Sequence, residues 1–123
     1  MSGTGPVLWL VTPDLFLGSR IRGIAERAGY TVVTAPKLEQ ISQTLGEKRC
    51  GRLLVDLTAG GLEIDDMSYE RLGGFDEAAA YAPHVRVDLL KAARAAGFHR
   101  VWTRSQLETE LSVWLADRTD AAG

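Results

Sequence analysis

A single cysteine, Cys50, occurs in the 123-residue chain. That excludes an internal disulfide and a cysteine-rich metal centre, and it suits a reducing compartment. The only histidines, His84 and His99, lie apart in sequence with no Cys, Asp or Glu grouped at ligand spacing. No metal site is therefore expected. No apolar run reaches the roughly 18 residues a membrane span requires. The opening MSGTGP lacks a basic n-region and leads into only a short apolar run, so no signal peptide is expected. An excess of either charge is also missing, with 14 basic and 16 acidic residues giving a net charge of −2. Such a chain has no basic field to draw in a nucleic-acid backbone. The pairs Gly60–Gly61 and Gly73–Gly74 fit neither a phosphate loop nor a dinucleotide fingerprint, and read as tight turns.

What is present is an ordinary globular composition, 46% hydrophobic and 24% charged, which argues against a disordered chain. A chain of this length buries roughly two thirds of its unfolded surface. One domain over 1–123 is expected, with a core of about 6–117 and a frayed polar tail over 118–123. PVLWLV (6–11) and RLLVDL (52–57) are short apolar runs of the kind a strand buried on both faces shows. YTVVTA (30–35) is β-branched and reads as a strand between them. FHRVWT (98–103) reads as a further strand, and the weaker AAAYA (78–82) is assigned to one by its position. Helices fall between them. LFLGSRIRGIAERA follows a TPD triplet in which Thr12 suits the N-cap, Pro13 the first turn and Asp14 the positive helix end. PKLEQISQTLGEK (36–48), part of 62–78, VRVDLLKAARAA (85–96) and SQLETELSVWLA (105–116) supply the others. Gly29 and Gly97 close two of them, and Ser105 with Glu108 has the spacing of a capping box.

Strands alternating with helices imply an α/β fold: a doubly wound, five-stranded parallel sheet covered on both faces, a flavodoxin-like three-layer sandwich. Ligands of such folds bind beyond the carboxyl ends of the strands. Asp56, the Thr12–Asp14 turn, Ala82 and Arg104 all fall at such ends.

In order and spacing, these segments resemble a response-regulator receiver domain, from Val7 to Leu115. AGYTVVTA (28–35) is similar to the family's second strand and its approach. LLVDLTAGG (53–61) is similar to the third strand with its aspartate, and AARAAGFHRVWTRS (92–105) to the fourth helix and fifth strand. The resemblance implies a phosphoacceptor at Asp56, two acidic Mg²⁺ ligands after the first strand, a hydroxyl after the fourth, and an aromatic and a lysine on the fifth. Here those positions carry Thr12 and Pro13, Ala82, Val101 and Arg104; Asp14 bears a carboxylate one place late. Proline offers Mg²⁺ no side-chain ligand and threonine only a neutral oxygen, whereas Mg²⁺ needs hard oxygen ligands in octahedral geometry. Phosphoryl transfer depends on that charge neutralisation.

The sequence therefore reads as a degenerate receiver: a cytoplasmic, non-enzymatic pseudo-receiver acting through phosphorylation-independent protein contacts. No cofactor is expected. Asp56 then caps the turn after its strand or forms a bidentate pair with Arg104. By the resemblance, 85–116 is the face for a protein partner or a homodimer, with Val87, Leu90, Arg94, Trp102 and Trp114 as candidate contacts. Two alternatives stay open. One is a phosphorylatable receiver using Asp56 and Mg²⁺ with Asp14 turned inward, and the other is a small-molecule or anion binder in the vacated site.

Overall fold

The computed structural model describes residues 6–35, 51–59 and 75–116. In chain order they form β1 (Val7–Val11), α1 (Leu15–Arg27), β2 (Thr31–Ala35), β3 (Arg52–Asp56), β4 (Glu77–Ala82), α2 (Val87–Ala96), β5 (Arg100–Thr103) and α3 (Arg104–Ala116). The sheet runs β2-β1-β3-β4-β5 with every pairing parallel. The helices expected over 36–48 and within 62–78, the glycine pairs, Cys50 and the 118–123 tail lie outside the described residues.

Each central strand is apolar on both faces because each face meets a different layer. Trp9, Leu53, Val55 and Ala80 pack towards Leu90 and Ala93 of α2. The alternate residues Leu8, Leu10, Leu54 and Tyr81 pack towards Ile21 of α1 and Leu107 and Leu111 of α3. Five residues of β3 are buried in succession, as a central parallel strand requires. The three-layer sandwich expected from the sequence is thus the fold observed.

Two helix starts differ from expectation. Asp14, and not Thr12, is the N-cap of α1, its Oδ1 accepting the Leu17 N–H at 3.0 Å. The Thr12 hydroxyl is drawn inward to another partner, so the helix begins two residues after Pro13. At α3 the capping box is Thr103 with Gln106: the Gln106 N–H donates to Thr103 Oγ1 at 3.3 Å, and the Thr103 N–H to Gln106 Oε1 at 2.9 Å. Strand β5 delivers the chain to that cap, leaving Glu108 to pair with Arg20 across α1 and α3 at 2.5 Å.

The candidate partner face also changes. Trp102 and Trp114 are 7% and 4% exposed and meet edge to face, with ring centroids 5.5 Å apart. The Arg52 guanidinium lies over the Trp114 ring, and Trp114 Nε1 donates to Glu77. Leu90 is buried with the α2 core. These three side chains are largely buried in the core layers, whereas Val87 and Arg94 are exposed.

Candidate functional site

Strand register assembles the site. Val11 pairs with Val55 and Asp56 with Tyr81, so the next step along β1 sets Thr12 beside Asp56 in one row with Tyr81. That row faces the α1 and α3 layer, as Leu10 and Leu54 do two residues earlier. Asp56 is buried, its side chain only 1% exposed. A carboxylate so placed needs donors for both oxygens. Thr58 supplies two to Oδ1, through its N–H at 2.9 Å and its hydroxyl at 2.6 Å. Thr12 donates its hydroxyl to Oδ2 at 3.1 Å. The Thr12 oxygen in turn accepts from the Tyr81 hydroxyl at 3.3 Å and from the Asp14 N–H at 3.2 Å. Asp56 therefore caps its own turn, which the Ala59 N–H to Asp56 carbonyl bond closes.

Arg104 stands at the rim, 43% exposed, with Nη2 3.9 Å from Asp56 Oδ2. That is ion-pair range but beyond a hydrogen bond, so the bidentate pair expected from the sequence is not formed. The hydroxyls of Thr12 and Thr58 already occupy the carboxylate. Ala82 is buried in the opposite, α2-facing layer. The residue that β4 sends to the site is Tyr81, which sequence reading did not single out, and the same holds for Thr58. A D-x-T turn after a strand and the strict alternation of AAAYA are the signals that point to them.

Burial pushes the Tyr81 phenol well above its ordinary value of 10.0, and the neighbouring Asp56 charge adds to that. The sign is that of a raised pKa. Stability is whole below the ordinary tyrosine range and is lost as pH rises, because the unfolded chain gives up its proton first. Above that value the wild type loses stability by up to about 1.4 kcal/mol per pH unit more than Tyr81→Phe. Urea unfolding of both proteins across the alkaline range measures the difference.

The residues present do not fit Mg²⁺. Pro13 carries no ligand atom, the Asp14 carboxylate caps α1, and the Thr12 hydroxyl is aimed at Asp56. Among the described residues no group of three or more His, Cys, Asp or Glu could hold a metal ion. His99 is occupied otherwise, its Nδ1 accepting the Ala78 N–H at 3.0 Å. No helix among the described residues is long and apolar enough to cross a membrane.

No family model and no curated protein matches the sequence. Solved structures do match in shape. A response regulator from Thermotoga maritima superposes with a TM-score of 0.69 at 16% identity, covering 88% of this chain and 98% of that one. A response-regulator receiver domain protein from Methanospirillum hungatei gives 0.73 at 15% identity, covering 96% and 98%. The receiver domain of a sensor histidine kinase from Pseudomonas aeruginosa gives 0.67 at 16% identity, over 93% and 100%, with a magnesium ion in its active-site cleft. With the 2-1-3-4-5 parallel sheet and an aspartate ending its third strand, this chain has the fold of response-regulator receiver domains.

Proposed function

We propose that the protein is a pseudo-receiver: a cytoplasmic, non-enzymatic signalling module that works through protein contacts independent of phosphorylation. One observation carries the reading. Asp56 is almost wholly buried and its oxygens are held by Thr12 and Thr58, the first of these standing where a metal-binding carboxylate would be needed. A phosphodonor must reach a carboxylate oxygen in line with its leaving group, and a divalent cation must neutralise the transferring oxygens. Neither requirement is met by this arrangement. By its likeness to receivers, the partner face lies over 85–116, and exposed Val87, Arg94 and Val113 are its contacts once the buried tryptophans are set aside.

The contrary feature is that Asp56 and a basic residue persist at the strand ends, which favours a phosphorylatable receiver as the second reading. Incubation with acetyl phosphate and Mg²⁺ followed by intact-mass measurement separates them. The expected result is an unchanged mass. A gain of one phosphoryl group that Asp56→Asn abolishes would establish the second reading.

A further inference from the structure

A cavity of about 310 Å³ opens between the first turns of α1 and the end of β2. Its origin is a mismatch in the layer between helix and sheet. Strand β1 leads its α1-facing row from Leu8 and Leu10 on to Thr12. Strand β2 ends at Ala35, so its last residue in that row, two after Val32, is the small and polar Thr34. On the helix side Gly18 has no side chain to fill the gap, and a Cβ there would come within 3.3 Å of Thr12 Cγ2. Leu15, 90% exposed, forms an apolar lip. The volume is at the small end of the range for ligand sites, which begins at roughly 300 Å³.

Two opposite charges line the cavity. Asp14, Gly18 and Arg22 follow at four-residue spacing and so share one face of α1, with roughly 12 Å along the axis between the outer two. Both charged groups have hydrogen-bonding capacity left. Asp14 caps the helix through Oδ1, and no described residue donates to its Oδ2. Arg22 Nη2 donates to Thr34 Oγ1 at 2.9 Å, which anchors the guanidinium at the cavity wall. Its Nη1 lies 3.8 Å from Glu26, beyond a hydrogen bond, in a half-exposed pair of little strength. The Ser19 hydroxyl, which also lines the cavity, has no partner among the described residues.

We infer that this cavity binds a small zwitterionic amino acid, its carboxylate on Arg22 and its ammonium group on Asp14 Oδ2. A planar carboxylate matches the fork of the guanidinium and takes two parallel hydrogen bonds from it, with the Ser19 hydroxyl as a further donor. A simple anion is repelled by Asp14 and a simple cation by Arg22, so the pair selects a ligand that carries both charges. Once both side chains reach inward, the backbone spacing leaves room for charges a few bonds apart. The cavity is small and open to solvent, so the dissociation constant is about 1 mM. Thr12 borders it with its methyl group and keeps its hydroxyl for Asp56. The inference therefore does not depend on whether Asp56 is phosphorylated.

Amide NMR titration of the full chain with glycine, β-alanine and γ-aminobutyrate tests this, with acetate and methylammonium as single-charge controls. At least one of the three zwitterions is expected to shift the Gly18, Ser19 and Thr34 amides saturably, while neither control does so at the same concentration. Arg22→Gln and Asp14→Asn, the second still a good N-cap, are each expected to weaken binding roughly tenfold or more. Glu26→Gln removes the competitor for Arg22 and is expected to tighten binding about twofold. No saturable shift with any of the three up to about 50 mM would overturn the inference. So would binding that acetate or methylammonium matches, or binding that Arg22→Gln and Asp14→Asn leave intact.

Discussion

Thr12→Asp lowers the melting temperature by about 10 °C in the presence of a chelator, and Mg²⁺ restores most of that loss. The reason lies in one distance. Thr12 Oγ1 donates to Asp56 Oδ2 at 3.1 Å, with both residues buried. Exchanging the hydroxyl for a carboxylate removes a donor and sets a second negative charge against the first. Like charges that close in a buried site force one group to hold a proton or cost about 2–4 kcal/mol. A divalent cation offers the other escape, since paired carboxylate oxygens are the hard ligands Mg²⁺ prefers. Wild-type protein in the same buffers serves as the reference, and its melting is indifferent to Mg²⁺. A variant that loses stability with no rescue by Mg²⁺ would show that the strand ends cannot be arranged around a metal even with the carboxylate supplied.

Gly51→Ala produces the larger purely structural loss, about 3–5 kcal/mol, enough to unfold much of a marginally stable domain. Gly51 leads into β3 with φ of 99°, a left-handed conformation that residues with a Cβ rarely adopt. A Cβ there would lie 2.2 Å from the Val7 carbonyl oxygen, and that neighbour is backbone at the start of β1. Relief requires β1 and β3 to part at the centre of the sheet. The Gly51 carbonyl also accepts the Asp76 N–H at 2.8 Å, so the shift would reach the approach to β4. Chemical denaturation followed by tryptophan fluorescence measures it, and a loss under about 1 kcal/mol would contradict the geometry.

The central strands were open to sequence reasoning for a physical reason. VLWLV and the Leu53–Val55 centre of RLLVD are apolar at successive positions because both faces are covered. The site's position followed from the fold, since strand ends on a parallel sheet converge. Its inner chemistry did not follow. Thr12 fits a helix cap in sequence, yet the register that seats Val11 on Val55 gives its hydroxyl a buried carboxylate to bond. Tyr81 is one aromatic in an alanine run until Asp56 is known to be its register partner. The tryptophans fail in the other direction. Aromatics near a partner face read as anchors, but alternation along β5 turns Trp102 under α3, where Trp114 meets it. Which face of an edge strand is covered depends on the helix that crosses it, and local sequence does not record that.

What makes the protein a pseudo-receiver in this reading is the closed state of Asp56, and one measurement bears on it without a variant: thermal melting of the wild type with Mg²⁺ and beryllofluoride, a phosphoryl mimic. A ligand of the folded state at a hundred times its dissociation constant adds about 2.7 kcal/mol of apparent stability, a shift of several degrees. The hydroxyl-held, buried carboxylate predicts no shift. A Mg²⁺-dependent rise in melting temperature would mean that Thr12 and Thr58 release Asp56, and that the site works as a phosphate switch.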